Sequence, residues 1–269
     1  SSLKIIPDFL KEVVNHVSTA FPEGLVILED LDNDNLGTNN FENVVYLKNI
    51  RNERSPTVYG KNFHSARYIE NYISEVALES AAFGAFTALE CINGLDIKNT
   101  NFLSGIFNND CILSSLKNIN MPLQTGSFYL GKLSNLKTFE NLNAPLLESF
   151  EGAFKDYYSM HSLTNVIARN DVVFDDDSFR GCGKLINLSF NIDDPIRFTG
   201  LNLADSPLLS KKSVVDLFNQ LDELWGENAG EVITLNTMTY FRLSEEELAI
   251  ATDKGWVIKY EDSIPEDEE

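Results

Sequence analysis

The stretch FRGCGKLINLSF, from Phe179 to Phe190, has an apolar spacing that fits neither a simple helix nor a simple strand. Its apolar residues lie three, three, three and then two positions apart: Phe179, Cys182, Leu185, Leu188 and Phe190. An amphipathic helix alternates steps of three and four, and a strand steps by two throughout. Twelve residues cannot decide between structures, so the spacing is informative only if it recurs elsewhere in the chain.

The same spacing does recur along the chain. Phenylalanines that lead similar apolar series are Phe41, Phe63, Phe83, Phe107, Phe128, Phe154 and Phe179, and neighbours in this set are between 20 and 26 residues apart. A period of this length is typical of one short strand plus a return segment per turn of a solenoid. We therefore predict stacked coils with parallel strands. The steps of three would belong to the turning segment, and the closing step of two would be the strand.

This arrangement resembles a known family of repeats. The series carried by Phe179, Cys182, Leu185, Leu188 and Phe190 is similar to the BspA-like leucine-rich repeat, and the resemblance extends over about residues 41 to 205. Cys182 is the only cysteine that stands where the family has one, and the repeat length varies along the chain. The resemblance implies an α/β fold, an irregular leucine-rich-repeat solenoid with parallel strands.

Both ends of the chain depart from the repeat and are predicted to be caps, which a solenoid needs because its terminal coils would otherwise expose core. An apolar helical face precedes the stop FPEG: Phe9, Leu10, Val13, Val14 and Val17. We therefore predict a helical N-terminal cap over residues 1–40, the repeat array over residues 41–205 and an α/β cap over residues 206–260. The acidic residues 261–269 are predicted to be a disordered tail.

The C-terminal cap has helix and strand signals of its own. A helix is predicted from Ser210 to Gly226, with an apolar face that includes Val214, Leu217, Phe218, Leu221, Leu224 and Trp225. A strand follows at EVITL, then a helix whose Ser244 and Glu247 are spaced as a capping box, and finally the strand WVIKY. The segment from about Leu203 to Tyr260 resembles the C-terminal caps of repeat proteins from bacterial surfaces and phage tails.

Charge and hydropathy narrow the range of partners. The chain has 21 Lys and Arg against 41 Asp and Glu, so its net charge is −20. Such a field repels phosphate backbones, and nucleic acid is not expected as a partner. No apolar run is long enough to cross a bilayer, which predicts no membrane insertion. The opening residues SSLKIIPDFLKE lack the pattern of a signal peptide.

Residues that could carry catalytic or metal chemistry are scattered. The three histidines, His16, His64 and His161, have no Cys, Ser or carboxylate at the spacing of a triad or a metal site, and His161 is expected to be exposed. The stretch EDLDNDNLG matches the first three ligands of a calcium loop but lacks its glycine and its final glutamate. We predict no enzymatic activity, no metal and no cofactor.

Polar residues at fixed places in the repeats are the candidate binding residues. Asparagine precedes the fourth apolar position in five of seven copies: Asn49, Asn71, Asn118, Asn165 and Asn187. A stacked asparagine column could bond backbone groups of the neighbouring coil, or its amides could contact a ligand. The residues expected to face outward from the strands are Asn120, Glu140, Ile167 and Ser189.

These patterns lead to one expected function and one alternative. The first is non-enzymatic recognition or adhesion at a bacterial cell surface or a phage tail, with the sheet face binding protein or glycan. The alternative is a structural subunit of a phage virion, in its tail, baseplate or capsid-associated parts. The location at a bacterial surface or in a phage is implied by the resemblance alone. Both functions place the chain outside the cell, at a cell surface or in a virion.

Overall fold

A computed structural model describes residues 27–33, 43–52, 63–78, 80–84, 86–100, 103–107, 112–226 and 230–262. The predicted N-terminal helix, His16, Phe41 and the tail beyond residue 262 lie outside the described residues. Every statement about the fold below concerns the described part of the chain.

The fold is α/β, with one large parallel sheet and few helices. The strands of this sheet are β1 (Ile27–Asn33), β2 (Tyr46–Asn52), β3 (Tyr68–Ser74), β4 (Cys91–Asp96), β6 (Ser115–Asn120), β8 (Thr138–Asn143), β9 (Ser162–Ile167) and β10 (Asn187–Phe190). They pair in parallel in the order in which the chain visits them, which confirms the prediction of parallel pairing. The sheet begins at β1, ahead of residue 41.

A second, smaller parallel ladder runs along the same stretch of chain. It contains β5 (Leu103–Ser104), β7 (Phe128–Tyr129) and single parallel bridges that connect Ser127, Ser149, Val173 and Thr199 in turn. Phe128 of this ladder contacts Phe139 of β8, with ring centroids 6.1 Å apart. The core therefore extends from the large sheet to the second ladder.

Phenylalanine rings stack through this core. Ring centroids lie 5.6 Å apart between Phe83 and Phe107 and 5.3 Å apart between Phe154 and Phe179. Each leading phenylalanine that the structure describes is buried, and so are Leu185 and Leu188, as the sequence predicts. Because each described leading phenylalanine packs on a ring about one sequence period away, no single segment completes this core alone.

The steps of three in the sequence arise from tight turns before the strands. The amide of Leu136 donates to the carbonyl oxygen of Leu133 at 2.9 Å, and Leu185 donates to Cys182 at 3.0 Å. A hydrogen bond that joins residues three apart is typical of a β-turn. Both members of each pair are buried, so the turning segments produce the predicted spacing.

The step of two is misplaced for most of the sheet: Val166 and Ala168 are buried two apart, but Ala168 lies after β9, and the strand itself contains a step of three. In β9 the buried residues are Leu163 and Val166, three positions apart, because Asn165 between them adopts a left-handed conformation with φ 57°. This residue takes up one extra position and turns the strand so that Val166 points inward again. In β10 the buried Leu188 and Phe190 do lie two apart, and the pairing register with β9 shifts there.

The C-terminal region adds a small sheet and three helices. The helices are α1 (Lys211–Gln220), α2 (Thr237–Tyr240) and α3 (Glu245–Thr252), and the strands β11 (Asn202–Leu203), β12 (Val232–Asn236) and β13 (Val257–Glu261) pair in parallel. The predicted capping box of Ser244 and Glu247 and the two predicted strands are confirmed. Helix α1 packs on β10, where the amide of Leu188 donates to Oγ of Ser213 at 3.1 Å.

One part of the prediction for α1 is wrong. The helix ends at Gln220 instead of continuing to Gly226, and Leu221 is its C-cap in an extended conformation. Trp225 therefore does not belong to the buried helical face, and its side chain is 72% exposed. Leu221 and Leu224 remain buried, because the extended segment still crosses the core.

Candidate functional site

The side chains of the large sheet that point away from the core form what we call the outer face. In a parallel sheet with constant register, equivalent residues of successive strands stand beside one another about 4.8 Å apart. One such row joins Glu29, Lys48 and Glu70, and another joins Asp96, Asn120 and Asn143. A row at the centre of the outer face consists almost entirely of asparagine.

We call this central row the asparagine ladder: Asp30, Asn49, Asn71, Asn118, Asn141 and Asn165. All six residues have positive φ angles, between 51° and 61°. Asparagine enters this conformation at lower cost than most residues because its short polar side chain can bond locally. The choice of residue therefore follows from the backbone turn that each strand makes at this position.

Side-chain amides join the rungs of the asparagine ladder. Nδ2 of Asn49 donates to Oδ1 of Asp30 at 2.7 Å, and Nδ2 of Asn71 donates to Oδ1 of Asn49 at 3.0 Å. Further along, Asn141 donates to Asn118, and Asn165 donates to Asn141, at 2.7 Å each. In each of these bonds the amide donates to the preceding strand. The Oδ1 atom of each of these acceptors therefore receives a hydrogen bond from the strand that follows it.

The ladder is interrupted at Gly94, which has no side chain and a φ of 92°. A Cβ atom at this position would lie 2.7 Å from Oδ1 of Asn71, so the Asn71 side chain would have to move to admit a residue other than glycine. Beyond the gap, Asn118 donates instead to Oδ1 of Asn93 at 2.6 Å. The Oδ1 atom of Asn71 therefore faces Gly94 of the following strand, which has no side-chain amide to donate to it.

The structure brings only some of the predicted column together. Asn49, Asn71, Asn118 and Asn165 are rungs, but Asn187 is not, because it pairs with Ser162, three positions before the rung Asn165. The rung Asn141 was missed. In its copy the buried Phe139 and Leu142 are also three apart, so the apolar series alone does not tell which of them follows the asparagine.

The four residues predicted to face outward lie on the outer face, but all are half-buried rather than free. Nδ2 of Asn120 donates to Oδ1 of Asp96 at 2.9 Å, and Glu140 forms an ion pair with Lys117 at 2.8 Å. Oγ of Ser189 accepts the backbone N–H of Asn165 at 3.0 Å. Ile167 continues the row of Asn120. These side chains mainly join neighbouring strands.

Two adjoining depressions open on the outer face around Asn93 and Gly94. The first, which we call the amide depression, has a volume of about 410 Å³, and its polar lining comprises Asn49, Arg51, Asn71, Asp96 and Asn118. The second, the tyrosine depression, also has a volume of about 410 Å³ and is lined by Tyr46, Tyr68, Glu70, Cys91 and Asn93, among others. The sequence did not predict these depressions, because each is lined by residues of several strands that are separated in the chain.

The charged groups around the depressions are already paired within the protein. Arg51 lies 3.0 Å from Glu75, and Asp96 lies 3.5 Å from Lys98. The hydroxyl of Tyr46 donates to the carboxylate of Glu70, and this hydrogen bond, together with burial, raises the pKa of Tyr46. Arg51 and Asp96 therefore add little uncompensated charge to the amide depression, and Glu70 lies in the tyrosine depression as a hydrogen-bonded carboxylate.

Metal binding and membrane spanning find little support in the part of the chain described. Among those residues, no group of three or more His, Cys, Asp and Glu side chains could hold a metal ion. None of the described helices has the length and apolar character needed to span a bilayer. His161 is exposed, as predicted, and Cys182 is buried. Comparisons with protein-family models, with curated proteins and with solved structures find no match to this chain.

Proposed function

We propose that this protein is a non-enzymatic recognition protein that binds a protein or glycan through the outer face. It acts at a bacterial cell surface or on a phage tail, and its fold is an irregular leucine-rich-repeat solenoid of the BspA-like type. The order of the parallel strands, together with the second ladder, supports the solenoid. The location rests on the resemblance of its repeats and C-terminal cap.

One observation carries the proposal: the outer face is a largely polar surface of bonded side chains that contains the two depressions. Solenoids commonly use an extended face of this kind for binding. The rows of bonded side chains hold this surface in a fixed shape before a ligand arrives, which lowers the entropy that binding would otherwise cost. A rigid polar face with concave sites suits recognition.

The test compares two matched substitutions, Thr164→Arg on the outer face and Thr199→Arg on the second ladder. Labelled protein is added to panels of bacterial cells and to extracts of their surfaces, and bound protein is measured. We expect the wild type and Thr199→Arg to bind equally and Thr164→Arg to bind much less. Equal binding by both variants would show that the outer face is not the recognition surface.

A second candidate function, a structural subunit of a phage particle, is favoured by an aromatic patch at the C-terminal end. The rings of Tyr240, Phe241 and Tyr260 contact one another, with centroids 4.7 to 5.4 Å apart. Phe241 is 67% exposed and Tyr260 is 52% exposed. Contiguous exposed aromatic rings commonly mark a contact with another protein.

The mass of the protein in solution separates the two functions. A recognition module is expected to stay monomeric, whereas a particle subunit buries well over about 1,000 Å² against its neighbours. If the protein is a particle subunit, Phe241→Ser should prevent its assembly. If it is a recognition module, Phe241→Ser should leave binding to cells unchanged. Assembly that requires Phe241, with no binding to cells by the wild type, would favour the structural role.

A further inference from the structure

We propose that the amide depression and the tyrosine depression together bind a neutral oligosaccharide, with one end of the ligand completing the asparagine ladder at Gly94. This inference rests on the proposed function and names the ligand class for one part of the outer face. It follows from the interruption of the ladder, the size of the depressions, the pairing of their charges and the chemistry of their walls.

The interruption supplies a hydrogen-bond acceptor without a rung to use it. In the ladder each Oδ1 is directed at the next strand, and Asn49 and Asn118 accept amide protons in this way. Oδ1 of Asn71 has the same direction but meets Gly94, which carries no donor there. A ligand hydroxyl placed above Gly94 would take the position of the absent amide.

The depressions have the dimensions of a small-ligand site. Each measures about 410 Å³, and ligand pockets typically measure about 300 to 1,000 Å³. Strands β3 and β4 contribute to both depressions, which lie on either side of Asn93. A ligand that fills both must therefore be elongated, as a short chain of sugar rings is.

The pairing of charges favours a neutral ligand. Arg51 and Asp96 line the amide depression, and each already lies within ion-pair distance of a group of opposite charge on the protein. Glu70 accepts a hydrogen bond from the hydroxyl of Tyr46 in the tyrosine depression. An anionic ligand would find Arg51 already paired and would also be repelled by the net charge of −20, and a cationic one would find Asp96 already paired.

The walls suit hydroxyl groups. Amide and carboxylate oxygens accept hydrogen bonds, the guanidinium of Arg51 donates them, and a sugar hydroxyl does both. Tyr68, which is 41% exposed, adds a ring on which the apolar face of a sugar can pack, and Tyr46 supports it edge-on at 6.4 Å between ring centroids.

An extended peptide fits this place less well. Peptides commonly bind a sheet by adding a strand to an open edge. Strands β3 and β4 lie within the sheet, and each is paired on both sides, so their backbone groups are already used. Recognition here must rely on side chains, and these are the amides, carboxylates and tyrosines of the two depressions.

The test places a side chain at the interruption of the asparagine ladder. Gly94→Asn adds the absent rung and closes the amide depression, whereas Gly152→Asn is the matched control. Gly152 also has a positive φ, 62°, and nothing lies within 4 Å of a Cβ atom placed there. Because Gly94→Asn strains the backbone, Tyr68→Ala serves as a second variant at an exposed position. Thermal unfolding of each variant confirms that it is folded.

The probes are an array of linear neutral oligosaccharides of hexoses and N-acetylhexosamines, a set of sulfated and sialylated oligosaccharides, and a library of extended peptides. We expect the wild type and Gly152→Asn to bind one or more neutral oligosaccharides. Gly94→Asn and Tyr68→Ala should each lower that affinity about tenfold or more, since each removes a contact worth more than about 1.4 kcal/mol.

Three results would overturn the inference. They are the absence of binding to every neutral oligosaccharide, binding to anionic sugars or peptides alone, and binding that both folded variants retain at full affinity. None of them would disprove the proposed function, because Thr164 of β9 lies outside both depressions. If Thr164→Arg still prevents binding to cells, the outer face is a recognition surface with a different ligand.

Discussion

Nδ2 of Asn165 donates a hydrogen bond to Oδ1 of Asn141 at 2.7 Å, although the two residues are 24 positions apart in the chain. Next to them, Val166 and Leu142 are paired across the same two strands and are buried. One left-handed residue in each strand thus serves two purposes. It directs the following apolar side chain into the core, and it joins neighbouring strands on the outer face.

Asn141 is therefore expected to contribute more to stability than its exposure suggests. Asn141→Ala should lower the free energy of unfolding by about 1 to 3 kcal/mol, because the left-handed conformation costs more without the amide and two hydrogen bonds are lost. Asn187→Ala is the control, since Asn187 is exposed and is not a rung, and it should change stability by less than about 0.5 kcal/mol. Urea unfolding measures both. Equal losses would contradict the role of the ladder.

Leu188 of β10 tests the core next to the C-terminal cap. Its side chain is 2% exposed, and Leu188→Ala should lower the free energy of unfolding by about 2 to 5 kcal/mol by leaving a cavity. Ile186, two positions earlier, is 37% exposed, and Ile186→Ala should cost less than about 1 kcal/mol. Chemical denaturation checks both values. A small loss at Leu188 would mean that this strand is packed differently.

The Cys182 thiol is expected to be unreactive in the folded protein. Burial raises its pKa, and its Sγ–H donates to the carbonyl oxygen of Phe154 at 3.2 Å. Cys91 is half-buried and lines the tyrosine depression. Iodoacetamide at neutral pH should modify Cys91 before Cys182, and Cys182 only after unfolding, because alkylation requires an accessible thiolate. Peptide mass spectrometry locates the label, and early modification of Cys182 would contradict its burial.

Asp177 should make stability depend on pH. Its hydrogen bond with Lys155, at 2.7 Å, lowers the pKa of its carboxyl group below the ordinary value of 3.8. Since the folded-state pKa is the lower one, the contribution to stability is present above pH 3.8 and is lost as the pH falls through the folded-state value. Salt weakens this effect, because both groups are partly exposed.

The measurement compares melting temperatures of the wild type and Asp177→Asn at about pH 6 and about pH 3. The wild type should be the more stable protein at the higher pH, and the difference should shrink at the lower one. A difference that grows on acidification would show that the ion pair has no such role. Glu151→Gln is the control, since Glu151 is exposed and its hydrogen bond is to the hydroxyl of Ser149 rather than to a charged group.

Much of the fold was predictable because its core repeats a local pattern. The series that leads from Phe179 through Cys182 to Leu185 contains both the turn and the residues that it buries. Similarly, Ser244 and Glu247 lie within one helical turn, so their capping box could be recognised from their spacing. Trp225 was misplaced because nothing in its local pattern marks the end of α1 at Gln220.

The candidate site was predictable only in part. The sequence correctly indicated asparagines and an outward face, but it did not align Asn141 with Asn165, and it wrongly included Asn187. The depressions were not predicted either, because their walls come from strands that are separated in the chain and meet only in the folded sheet.

The sequence by itself determined the parallel strands and the phenylalanine core, because each apolar series must be buried and one series cannot bury itself. It could not determine the register of the outer face. Apolar residues recur every third position through turn and strand alike, as at Leu136, Phe139 and Leu142, so a shift by three leaves the pattern unchanged. Only the tertiary structure decides that register. The hydrogen bonds that select it join asparagine side chains of neighbouring strands, which are 23 or 24 residues apart in the chain.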